Sequence, residues 1–179
     1  MAKRPKASRI VKLWRGRLVR HIDSIAHLRT LRYTPRQIRD FARRVLEAES
    51  QIEVRTPEDI HAFLSGCQYV SDRELHGKAE VWQTPDIFEK IQKGDCEEFA
   101  FWGWKMLLTL GVKARWTIGR YKGGTHAWVT LFSEDKVFIF EATSLAQNPY
   151  AQFIVPAAEA AAYGPVLSLD QELRVYQHG

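Results

Sequence analysis

Apolar residues recur in steps of three and four through the first third of the chain. Ile10, Trp14, Leu18, Ile22, Ile25 and Leu28 form one stripe with arginines opposite, which predicts a helix from Ile10 to Leu31 that Gly16 weakens. Thr34-Pro35 opens a second helix with Ile38, Phe41 and Val45 on its inner face. Thr56-Pro57 opens a third with Ile60, Phe63 and Leu64, and Thr84-Pro85 a fourth. In each, the threonine is a cap and the proline takes the first turn. "SDRELHGK" reads as a loop. A further helix is expected from about Asp95 to Leu110, stopped by Gly111. It is apolar nearly all round (Phe99, Phe101, Trp102, Trp104, Met106), as a central, buried helix would be. After Gly111 the pattern alternates. "VKARWTIGRY", "HAWVTLF" and "VFIFEAT" read as three strands joined by "KGG" and "SEDK" turns. "PAAEAAAY" reads as a short helix and "PVLSLDQELRVY" as an edge strand. The fold class is α+β: a helical N-terminal half, with a central helix packed on an antiparallel sheet.

Composition sets the scale. The chain has 179 residues, 45% hydrophobic and 12% aromatic, which is enough for one domain with a real core. Its two cysteines, Cys67 and Cys96, are too few for a disulfide framework and point to a reducing compartment. No CxxC or HxxxH spacing marks a zinc site, and no metal ligand is assigned. The first 21 residues break every apolar pair with Lys or Arg, so they read as neither a signal peptide nor a membrane span, and the expected location is cytoplasmic.

Charge divides the chain. Residues 1–44 hold 14 Lys and Arg against two acids, Asp23 and Asp40, whereas residues 45–179 hold 12 bases against 19 acids. A basic helical extension (1–34) is therefore distinguished from a domain (35–179). The extension suits an anionic partner, whether nucleic acid, acidic protein or membrane surface, or else the chain's own acidic body. No recognised nucleic-acid motif accompanies it.

The candidate chemistry lies in "GDCEEFA". Cys96 opens the central helix, where unpaired backbone N–H groups favour a thiolate and are expected to lower the thiol pKa. His126 begins the second strand and Glu141 ends the third. With residues 133 and 134 at the turn tip these two face one another, and a slip of two leaves them diagonal neighbours within reach. The three residues offer a nucleophile, a base and an orienter. Cys67, in "LSGCQYV", reads as a small buried hydrophobe. His21, His27, His61, His76 and His178 have no such partners and read as surface or packing residues. Asp95, Glu97 and Glu98 favour the helix dipole.

"GDCEEFA", "HAWV" and "FEATS" resemble the three motifs of the transglutaminase-like superfamily, within the papain-like fold. The resemblance is closest to the bacterial transglutaminase-like cysteine peptidases, whose first motif resembles GDCED. "VWQTP" matches the Trp-x-x-Pro stretch that often precedes that motif, and the matching region runs from about Val81 to Ser144. The resemblance implies that Cys96 is the nucleophile, His126 the general base and later acid, and Glu141 the orienter. The family usually has Asp in a D-P-T or D-A-T run; here the run is Glu-Ala-Thr. The Cys96 backbone N–H is an expected oxyanion donor, with Trp82 or Gln83 as the second. Trp128, on the His126 face, is expected to wall the substrate cleft. In some relatives acids flanking the nucleophile bind calcium, but the additional oxygen ligands are not identifiable in the sequence. No organic cofactor is implied.

The expected activity is thiol acyl chemistry on amide bonds through a thioester. Water resolves it in a peptidase or amidase and an amine in an acyltransferase; a single compact chain favours hydrolysis. The alternative is a non-catalytic binding or structural protein attached by its basic helix.

Overall fold

The computed structural model describes residues 9–20, 22, 33–150 and 152–179. Its elements in chain order are α1 (Arg9–Arg15), β1 (Arg17–Leu18), α2 (Pro35–Glu47), α3 (Pro57–Gly66), β2 (Gln68–Tyr69), α4 (Asp72–His76), α5 (Pro85–Ile91), β3 (Lys93–Gly94) and α6 (Cys96–Thr109). Then follow β4 (Ala114–Tyr121), β5 (Gly124–Ser133), β6 (Lys136–Phe140), α7 (Ala142–Gln147), β7 (Ile154–Pro156), β8 (Tyr163–Leu169) and β9 (Val175–Gln177).

The Thr-Pro helix starts are present as read. Thr34 accepts from the Gln37 N–H and Thr56 from the Asp59 N–H, each closing a capping box. Thr84 precedes α5 without a side-chain cap bond. "SDRELHGK", expected as a loop, contains α4, capped by Ser71 and closed by Gly77 at φ 67°.

Seven strands form one sheet in the order β1-β9-β8-β4-β5-β6-β7, every pair antiparallel. β8 therefore lies inside the sheet between β9 and β4, not at its edge. Residues 157–162, within the expected "PAAEAAAY" helix, form turns; so short a run cannot nucleate a helix without a packing face.

The helix expected from Ile10 to Leu31 ends at Arg15. Gly16 takes φ 63°, a left-handed conformation that terminates it, and the chain then pairs with β9. Trp14 is buried edge-on against Trp128, and His178 Nδ1 donates to the Leu13 carbonyl. β1 is thus a strand of the sheet, and α1 packs on the sheet through Trp14. Ile25 and Leu28 lie outside the described residues. Among those described, no helix is long and apolar enough to cross a membrane.

α6 is the central element. Phe99, Phe101, Trp102 and Trp104 are fully buried, and Phe101 stacks on Trp116 of β4 with centroids 4.4 Å apart. Gly103 permits the close approach: a Cβ there would lie 2.9 Å from the Phe140 ring. This packing brings the first turn of α6 to the end of the sheet where β6 stops and β5 continues.

Candidate active site

The helix start is fixed by its own acids. Asp95 caps α6 by accepting from the Glu97 N–H, and Glu98 Oε2 returns to the Asp95 N–H at 3.0 Å. Glu98 Oε1 takes the Gln83 N–H at 3.0 Å, tying "VWQTP" to the same turn. These bonds place Cys96 at the first helical position, buried but opening into a cleft of ≈ 750 Å³ walled by Tyr33, Tyr69, Asp72, Asp95 and Thr125.

The thiol does not meet the lowered pKa expected for it. Cys96 Sγ donates to Glu97 Oε2 at 2.9 Å. Burial first, then the charges of Glu97 and Asp95, push the thiol well above its ordinary value; the Ala127 backbone opposes the rise. Glu97 is pushed well up in turn by burial and by Asp95. The helix N-terminus is outweighed because the thiol is buried beside two acids, Glu97 and Asp95. Cys67 differs in kind: burial alone pushes it up to about 12, and its S–H goes to the Phe63 carbonyl at 3.4 Å.

The β5–β6 ladder runs from Ser133↔Lys136 to Val129↔Phe140, the two-residue slip from the facing register. His126 and Glu141 are still joined, with Nε2 to Oε2 at 2.8 Å. The bond uses Nε2 and leaves Nδ1 as the ring's second site. Glu141 also caps α7, where a strand end was expected: Thr143 donates to Oε1 from both its N–H and its hydroxyl. The Tyr163 hydroxyl donates to Oε2 at 2.8 Å. Burial would raise the Glu141 carboxyl, but bonds from His126, Thr143 and Tyr163 outweigh it and hold the pKa below the ordinary value.

Cys96 and Thr125, the residue before His126, line the same cleft. No hydrogen bond joins Cys96 to the His126 ring among the described residues. Gln83 has both its nitrogens engaged, the backbone N–H with Glu98 and Nε2 with the Lys93 carbonyl at 3.1 Å. Trp82 packs among Tyr33, Phe41, Phe101 and Trp116, its Nε1 buried without a partner. Trp128 shares the His126 face as expected, but it is fully buried and backs the imidazole at 6.2 Å. None of these three lines the cleft.

Sequence reasoning missed Asp72, Thr143 and Tyr163. Asp72, from α4, is buried beside Asp95 and Glu98, with one oxygen on the Val81 N–H and Oδ1 without a partner. Thr143 was inside a quoted motif, but glutamate is not an ordinary cap residue, so the motif did not mark Thr143 as its partner. Nothing local marks Asp72 or Tyr163, which arrive from 24 residues before Cys96 and 22 residues after Glu141.

No protein-family model and no curated protein matches the chain. Among solved structures, calcium-bound LapG of Legionella pneumophila is 17% identical, covering 81% of this chain and 90% of that one with a TM-score of 0.55. LapG in a second structure is 19% identical over 81% and 88%, with a TM-score of 0.54. An EGTA-treated form is 18% identical over 81% and 86%, with a TM-score of 0.55. At this identity the likeness defines the fold: the chain has the α+β, transglutaminase-like fold.

Proposed function

We propose that the protein carries out thiol-dependent acyl chemistry on amide bonds, with hydrolysis as the outcome. Cys96 is the nucleophile, His126 the base and Glu141 the orienter. The observation that carries this reading is the cleft that Cys96 shares with Thr125, while the next residue, His126, is bound to Glu141 at 2.8 Å. A core thiol has no use for a base oriented by a buried carboxylate one residue from the wall of its own cleft.

The thiol first leaves Glu97 and turns to His126, which takes its proton at Nδ1. Sulfur attacks the amide carbonyl, and the Cys96 N–H, ahead of the helical ladder, stabilises the oxyanion. His126 then returns the proton to the departing amine, leaving a thioester. Water adds to the thioester with His126 as base, releasing the acid and restoring the thiol. Glu141 keeps the ring oriented and stabilises the imidazolium throughout.

The acids behind the cleft suit a hard cation. Asp72, Asp95 and Glu98 bring carboxylate oxygens within 4.8 Å of one another, and the orphaned, buried Asp72 Oδ1 is the kind of atom a calcium ion satisfies. These three residues would hold it, as the calcium-bound form of LapG makes reasonable. Bound there, calcium would supply positive charge against a group of carboxylates that otherwise repel.

The test is hydrolysis of a panel of peptides and casein by the full chain and by Cys96→Ala. Release of new amino termini by the first and not the second supports the reading. Incorporation of a labelled amine without hydrolysis would replace it with acyl transfer.

A further inference from the structure

His126 stands among aromatic rings that the scheme above does not use. Its ring centroid lies 5.1 Å from Tyr121, 6.2 Å from Trp128 and 6.4 Å from Tyr163. Tyr121 and Tyr163 are partners in the β4–β8 ladder, with rings 4.4 Å apart. Tyr163 also brings its hydroxyl to the pair. It donates to Glu141 Oε2, the same oxygen that holds His126 Nε2, both at 2.8 Å. Thr143 holds Oε1. Each carboxylate oxygen is therefore pinned, one from β8 and one from α7.

The need for such pinning follows from the residue type. Glutamate has one more rotatable bond than the usual aspartate, so its carboxylate has more positions to visit and more orientational freedom to lose. A free carboxylate so close to the ring could turn either oxygen to it, or swing away. Two donors on opposite oxygens leave one orientation.

We propose that Tyr163 is a positioning residue for the Cys96–His126 reaction, its hydroxyl fixing Glu141 Oε2 against His126 Nε2 so that the ring keeps its proton there and offers Nδ1 to the thiol. This rests on the function proposed above. The groups that face Glu141 are His126 from β5, Tyr163 from β8, Thr143 from α7 and Tyr69 from β2, whose phenol is raised by burial and in part by the charge of Glu141. Burial and the same charge raise Tyr163, so it remains a donor at neutral pH.

The experiment is NMR on the full chain labelled with ¹⁵N-histidine and ¹³C-glutamate, with signals assigned through His126→Gln and Glu141→Gln. In the unmutated chain, neutral His126 should be the Nε2–H tautomer. Tyr163→Phe, which keeps the ring, should give a mixture of tautomers and move the Glu141 midpoint up by about half a pH unit or more. Carbamidomethylation of Cys96 should slow about tenfold, the size expected for losing a hydrogen bond to a charged group. An unchanged tautomer and midpoint in Tyr163→Phe would overturn the proposal. If that variant does not fold, the unmutated chain decides: a slowly exchanging Tyr163 hydroxyl proton with a cross-peak to the His126 ring is expected, and its absence overturns the proposal. These signals need neither substrate nor reactive thiol. A normal tautomer result with an unreactive Cys96 would count against the proposed function and not against the clamp.

Discussion

Cys96 Sγ rests on Glu97 Oε2, 2.9 Å away, and not on the imidazole of His126. The thiol is thus held protonated by burial first and then by Glu97 and Asp95, and the chemistry begins with a change of partner. Replacing the acceptor should release it. Glu97→Gln removes the carboxyl that holds the S–H and leaves an amide of the same shape, so Cys96 should be alkylated by iodoacetamide roughly tenfold faster at neutral pH. Rates unchanged or slower, measured by intact mass, would show that Glu97 does not hold the thiol back.

The contacts of Glu141 suit a side chain of its length. Its two oxygens reach His126, Thr143 and Tyr163 together, and the backbone at Glu141 is fixed by its N–H on the Phe153 carbonyl at 2.7 Å. Glu141→Asp withdraws the carboxylate by about an ångström, and a displacement of that size can cost on the order of a hundredfold. Cys96 labelling and any peptide hydrolysis should both fall by at least tenfold, with unfolding temperature little changed. An Asp variant as active as wild type would mean that the family's usual residue serves equally well here.

Calcium should stabilise the chain. At a hundredfold excess over Kd, a ligand that binds the folded state alone adds about 2.7 kcal/mol. The thermal midpoint should therefore rise with calcium, fall back with EGTA, and respond to neither in Asp72→Asn. A midpoint indifferent to calcium in wild type would remove the ion from the account while leaving the thiol chemistry untouched.

The N-terminal segment should be acid-sensitive through His178. That ring is buried between the Leu13 carbonyl and the Ser168 hydroxyl, and burial lowers it from 6.5 to about 4. The folded state thus resists protonation. Its advantage is complete above pH 6.5 and is lost as pH falls toward 4, at a cost of roughly 3 kcal/mol. Urea titrations from pH 7 to pH 4 should show that loss in wild type and a shallower one in His178→Gln. Equal slopes would place the acid sensitivity elsewhere.

The site was legible where it is local and illegible where it is assembled. The capped helix start at Asp95, the central burial of α6 and the β4–β5–β6 meander all follow from patterns within a few residues of one another. The His126–Glu141 contact survived a register error because neighbours two positions apart on adjacent strands remain within reach. The thiol's environment did not follow from the sequence. A helix N-terminus favours a thiolate, but burial beside two more carboxylates reverses the sign, and burial is a tertiary property. Asp72 and Tyr163 were missed for the same reason. The first helix was overrun because its apolar stripe continues through Gly16, and helical periodicity does not reveal that Leu18 will pair with Tyr176.

The central claim is that Cys96 is a nucleophile served by His126 and Glu141. Limited labelling with iodoacetamide, followed by peptide mapping, tests it without knowledge of a substrate. The account predicts modification of Cys96 well ahead of Cys67 in wild type, and at least a tenfold slower reaction at Cys96 in both His126→Ala and Glu141→Gln. Equal labelling of the two cysteines, or a Cys96 rate unaffected by either substitution, would contradict it.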